Sequence, residues 1–149
     1  MVEPHIQEVL WQGIGVSPGI VEGDVVVHWQ NEEEIPIRDI ARAEIPAEIA
    51  RFEVALIATR QELLEIQQKI AGAIGADDAS IFDAHLLVVE DRTLIDEALR
   101  GLERDLNNIE SVFHQVAGKY CRTLAAIDDP YLQERVVDVE DVTRRIIRH

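Results

Sequence analysis

Five histidines, a single cysteine and a large excess of carboxylates are the residues of this 149-residue chain that could do chemistry. Histidine ligates metals, moves protons or forms covalent intermediates, and a metal site demands a definite spacing. His5, His28, His85, His114 and His149 offer no i, i+4 pair with a third ligand nearby, so no metal site is expected. Cys121 has no partner for an internal disulfide or a zinc cluster, which fits a reducing compartment. No glycine-rich loop ends in Lys-Ser or Lys-Thr, and Gly13-Ile14-Gly15 lacks the third glycine and following helix of a dinucleotide fingerprint. Those glycines read as turn residues. The carboxylates are too numerous for spacing alone to single out a general acid and a general base.

Where the carboxylates gather is more telling. Between Gly75 and Asp105 stand nine Asp or Glu and only three Arg, and Asp77, Asp78, Asp83, Glu90, Asp91, Asp96 and Glu97 surround the apolar Leu87 and Val88. One reading is a solvated helix face. The other is an acidic docking surface with an apolar centre, in which the charge steers a basic partner and the apolar residues supply affinity. The balance of 29 Asp+Glu against 14 Lys+Arg, a net charge of −15, repels phosphate backbones and anionic lipid, so neither a nucleic acid nor a membrane is an expected partner. No apolar run approaches the roughly 20 residues of a membrane span, and Met1-Val2-Glu3-Pro4-His5 lacks the order of a signal peptide, so a cytoplasmic protein is expected.

These residues need a scaffold, and the hydrophobic pattern supplies a mainly α one. Residues are 47% hydrophobic but only 5% aromatic, so the core must be built from Ile, Leu, Val and Ala. Ile45, Ile49, Phe52, Leu56, Thr59, Leu63, Ile66 and Ile70 alternate steps of four and three, which predicts one helix over about 45–73. Pro46 is tolerated in its first turn, and Gly72 and Gly75 mark its end. Asp77-Asp78 open a second helical stretch, and Glu90-Asp91-Arg92 predicts a kink or break within it. Asn107 with Glu110 three residues on reads as the capping box of a third helix that ends near Ala126. Asp128-Asp129-Pro130 then starts a last helix carrying Leu132, Val136, Val139, Val142 and Ile146. Short links between such stripes make two helical hairpins in one bundle, over residues 45–149.

Residues 1–30 differ. Gly13, Gly15, Pro18, Gly19 and Gly23 forbid a long helix, and Val25, Val27 and Trp29 alternate with Val26 and His28 as in a strand, so a β-strand pair is expected. An isolated pair is marginal in water, which suggests an incomplete module. Residues 31–44, with Glu32-Glu33-Glu34 and Pro36, read as a surface connector. Cys121 and Trp11 read as packing residues.

Three stretches carry a family resemblance: Gly13-Ile14-Gly15-Val16-Ser17-Pro18-Gly19-Ile20-Val21-Glu22-Gly23, Ile81-Phe82-Asp83-Ala84-His85-Leu86-Leu87-Val88-Val89-Glu90-Asp91, and Asp128-Asp129-Pro130-Tyr131-Leu132-Gln133-Glu134-Arg135-Val136-Val137-Asp138-Val139. In order and spacing they resemble the N-terminal part of enzyme I of the bacterial phosphotransferase system, the phosphoenolpyruvate-protein phosphotransferase. The resemblance implies that the strand pair belongs to an α/β phosphohistidine domain interrupted by a two-hairpin helical domain that binds the phosphocarrier HPr. It also implies that the phosphorylated histidine lies beyond this chain, which would hold no cofactor and be inactive alone. In the parent enzyme the resemblance implies Mg²⁺ and dimerisation through a C-terminal domain absent here. The recognition residues it implies are Asp77, Asp83, His85, Leu87, Val88 and Asp91, with Leu124, Glu134 and Arg135 from the neighbouring hairpin. On residue types alone, Arg135 beside Glu134 reads as a helix-face ion pair and His85 reads as a partly buried helical histidine; the resemblance sets a contact role level with each of these readings. Many family members carry further carboxylates where this chain has Arg92-Thr93, so a nitrogen-branch relative with another acceptor fits as well. A helical scaffold that self-associates through the Ile45 to Ile70 stripe is the remaining alternative.

Overall fold

The computed structural model describes residues 9–10, 12–14, 18–24, 26 and 35–149. The chain divides into two compact units, Met1–Glu33 and Glu34–His149. Within the first unit the described residues form no strand. Val25, Val27, His28 and Trp29, on which the expected strand pair depends, lie outside the described residues.

The regular elements of the second unit are all helices. A 3-10 turn at Arg42–Glu44 leads into α1 (Ile45–Ala73), followed by α2 (Ala76–Ala79), α3 (Ile81–Val89), α4 (Arg92–Asp105), α5 (Ile109–Ala125) and α6 (Pro130–Arg148). The mainly α expectation and the 45–73 span of α1 are borne out. Pro46 occupies the first turn of α1, where its missing N–H costs nothing, and Gly75 turns the chain at φ 123°, a conformation that favours glycine. The predicted interruption at Glu90-Asp91 is a full break. Asp91 leaves helical geometry and its Oδ1 accepts from the amides of Thr93 at 2.8 Å and Leu94 at 3.1 Å, which starts α4. A second break, at Ser80, was not signalled by glycine or proline.

The core lies where α1, α3, α4, α5 and α6 meet. Leu63, Ala98, Leu102 and Val142 are fully buried, and Phe52 meets Phe113 with ring centroids 5.0 Å apart at 54°. Such a tilted aromatic pair adds about 0.5–1.5 kcal/mol beyond its buried area. The middle of the α1 stripe enters this core, with Phe52, Thr59 and Leu63 buried. At Gly101 an added Cβ would lie 2.7 Å from Val112 Cγ1, so α4 and α5 approach as closely as glycine allows. Ile127 falls beyond the end of α5 and is exposed.

Two expectations need correcting. The N-cap of α5 is Asn108, not Asn107, and its side chain does not cap: Oδ1 accepts from the Arg38 amide at 2.9 Å and Nδ2 donates to Glu110 Oε2 at 2.9 Å. The cap comes from α1, whose buried Glu48 accepts the Ile109 amide at 2.9 Å and also pairs with Arg38 and Arg51. Residues 35–44 are likewise more than a surface connector. Ile40 is buried, its amide donates to the Leu106 carbonyl at 2.7 Å, and the Asn108 amide donates to the Arg38 carbonyl at 2.8 Å. The segment is stitched onto the α4–α5 turn because that turn exposes backbone groups that need partners. Leu106 there takes a left-handed conformation at φ 53°, which its half-buried side chain, packed on the core, helps to hold.

Candidate functional site

The α3 helix sorts its residues by period. Phe82, Leu86 and Val89 turn toward the core, while Asp83 and Leu87, one turn apart, face outward. Leu87 is 67% exposed and Ile81 is 62% exposed. Val88 is half-buried at the margin, touching the core. Asp77 on α2 is exposed, and Asp83 is held by Gln67 Nε2 of α1 at 2.7 Å. The Gln67 to Asp83 and Arg60 to Glu90 contacts show that α3 runs antiparallel to α1.

Helix α6 packs against α3 and brings the second hairpin to the same edge. It starts at Asp129, whose carboxylate accepts the Tyr131 amide at 2.9 Å, and Pro130 fills the first turn. Glu134 is exposed and Arg135 half-buried. Arg135 does not pair with Glu134. It donates to the Tyr131 hydroxyl, stacks over that ring at 4.8 Å and reaches Asp138 Oδ2 at 3.5 Å. The Tyr131 hydrogen bond first, and Asp138 next, hold the guanidinium firmly charged. Leu124 is half-buried near the end of α5.

Thus the fold puts Asp83, Leu87, Val88, Glu134 and Arg135 on two helices in contact. Asp91 is placed differently: its carboxylate is engaged in capping α4 and is half-buried. His85 is also set back, with its side chain only 15% exposed. Sequence reasoning missed Tyr131, exposed at 59%, and Asp138 and Asp141 of α6. The i, i+4 spacing of Tyr131 and Arg135 and the i, i+3 spacing of Arg135 and Asp138 were the available signals.

Among the described residues, no three His, Cys, Asp or Glu converge to hold a metal ion, and no helix is long and apolar enough to cross a membrane.

Two helical hairpins sharing one core, with an acidic and partly apolar edge, define an α-hairpin bundle. The chain belongs to the family described as PEP-utilising enzyme, N-terminal, whose profile matches residues 12–135. Its relatives include the phosphoenolpyruvate-protein phosphotransferase of Geobacillus stearothermophilus, 36% identical over 97% of this chain and 25% of the relative. That of Bacillus sp. (strain S) is 32% identical over the same shares. The NMR solution structure of an Enzyme I protein superposes with a TM-score of 0.73 at 30% identity, covering 79% of this chain and 48% of that one. The resemblance to the N-terminal part of enzyme I is borne out. The chain spans about a quarter of the length of the curated relatives it matches.

Proposed function

We propose that this chain is the phosphocarrier-docking module of a phosphoenolpyruvate-protein phosphotransferase, and that its partner is the small histidine-containing carrier HPr. The observation that carries the reading is the exposed Leu87 on α3, one turn from the exposed Asp83, on a helix that packs against the α6 carrying the exposed Glu134. An apolar centre with an acidic rim fits a basic-rimmed partner: the centre supplies affinity and the rim raises the association rate. The module's work is positioning. It holds the carrier so that the carrier's histidine and one on the parent enzyme can exchange a phosphoryl group in line. That donor histidine, the phosphoenolpyruvate site, Mg²⁺ and the dimer contact belong to the longer protein, so the isolated chain has docking but no transfer activity. The setting is cytoplasmic sugar uptake.

Asp77, Asp83, Leu87, Val88, Leu124, Glu134 and Arg135 form the docking face in this reading, with Asp91 acting as the cap behind it. A self-associating scaffold is disfavoured because Phe52, Thr59 and Leu63 of the Ile45 to Ile70 stripe are buried, and Ile45, Ile49 and Leu56 pack half-buried on the same core. The test is calorimetric titration of the chain with HPr at low and high salt. Binding that weakens with salt, and that falls at least about tenfold in Asp83→Lys/Glu134→Lys, supports docking. No binding at either salt by the folded chain would reject it in favour of a nitrogen-branch carrier or another acceptor.

A further inference from the structure

His85 stands between the two hairpins. Its Nδ1 lies 3.3 Å from the Ile81 carbonyl oxygen, one turn back on α3, and its ring stacks on Phe82 with centroids 5.7 Å apart. A carbonyl only accepts, so this contact requires the proton on Nδ1. The other nitrogen, Nε2, then points across the hairpin boundary at two carboxylates of α6, 3.8 Å from Asp138 Oδ1 and 3.7 Å from Asp141 Oδ2. A neutral ring in this tautomer would aim a lone pair at two anions. Adding a proton to Nε2 makes the same geometry attractive from both sides.

We propose that His85, in its doubly protonated form, is a positioning residue: a strut that sets α3 against α6 from behind the docking face. This deepens the docking reading and rests on it for its consequence, because Leu87 and Asp83 lie on one side of the strut and Glu134 and Arg135 on the other. The side chain is too enclosed to be a principal partner contact, yet its charge state bears on how α3, which carries Leu87 and Asp83, sits against α6.

The charged neighbours are these. On α6, Arg135 reaches Asp138, Arg144 and Arg145 reach Asp141, and Glu134 lies one turn before Asp138. On α1, Glu62 pairs with Arg145 and His149, and Arg60 pairs with Glu90. On α2 stand Asp77 and Asp78. His149 is the other imidazole linked to this network, through Glu62 and Arg145, so the amides of residues 134–138 are the discriminating reporters.

The experiment is an NMR titration of the whole chain from pH 5 to pH 8, following the His85 ring and the α6 amides. The expected result is that amides 134–138 move on the same curve as the His85 ring, and that His85→Gln abolishes that step while His149→Gln does not. At pH 5.5, His85→Gln should also weaken HPr binding by about threefold, the scale of one partly exposed ion pair, and His85→Lys should restore it. Amides 134–138 that ignore the His85 titration in the wild-type chain overturn the strut, and this arm needs no variant to fold. Coupled amides without any HPr binding would leave the strut standing and reject the docking reading instead.

Discussion

Asp91 offers a way to separate a structural carboxylate from a binding one. Its Oδ1 takes two amide donors, Thr93 at 2.8 Å and Leu94 at 3.1 Å. Replacing a good N-cap by alanine costs about 1 kcal/mol, within a range of about 0.5–2, whereas asparagine caps nearly as well as aspartate. Asp91→Ala should therefore lower the melting temperature by about 3 °C for a chain of this size, and Asp91→Asn by less than about 1 °C. Asparagine also removes one negative charge from the neighbourhood of the proposed docking face. Thermal unfolding by circular dichroism and calorimetric titration with HPr read the two effects separately. If the cap is the residue's role, Asp91→Asn keeps both stability and carrier affinity within about threefold. An Asp91→Asn chain as unstable as Asp91→Ala would refute the capping argument. A stable Asp91→Asn chain that binds the carrier tenfold more weakly would show a contact residue instead.

Three further outcomes follow from the packing. Thr59 is fully buried and its hydroxyl has no hydrogen-bond partner among the described residues, so the near-isosteric Thr59→Val should stabilise the chain by about 1 kcal/mol in urea unfolding. Gly101→Ala should destabilise it by about 1–3 kcal/mol through the clash with Val112 Cγ1, and Val112→Ala in the same chain should recover part of the loss. The hydrogen bond from His149 first, and the Arg145 charge next, hold the Glu62 carboxyl below its usual 4.5. A depressed carboxylate contributes stability that is present above about pH 4.5 and is lost as pH falls through the lower folded value. Unfolding measured from pH 6 to pH 3 should accordingly show a shallower acid decline in Glu62→Gln than in the wild-type chain.

Long-period signals were the most legible part of the sequence. The α1 stripe repeats over eight positions, so Pro46 and Gly75 had only to trim its ends. The break at Asp91 was readable because three polar residues interrupt an apolar run. The α5 cap was misplaced by one residue because Asn108 Oδ1 and Glu110 Oε1 are taken by Arg38 and Arg51, remote in sequence, in addition to the Asn108–Glu110 bond. The same cause hid the role of residues 35–44, since nothing local says that Ile40 must cover the α4–α5 turn. At the proposed docking face the acidic residues were plain, but their duties were not. Charge counting cannot distinguish the exposed Asp83 from Asp91, whose oxygen is spent on two amides. Nor does Arg135 announce that it will choose Tyr131 and Asp138 over the adjacent Glu134, because adjacent residues on a helix point 100° apart.

Glu48 has a consequence for the order in which the bundle assembles. Its bond to the Ile109 amide spans 61 residues, and the same carboxylate gathers Arg38 and Arg51. Closing so long a loop costs entropy that one hydrogen bond cannot offset, so the clasp forms only after α1 and α5 have docked through Phe52 and Phe113. Once shut, it makes the start of α5 and the segment ahead of α1 open together or not at all. Fraying is thus suppressed at a place where two chain segments would otherwise loosen independently, and exchange of the Ile109 amide becomes a reporter of cooperative opening.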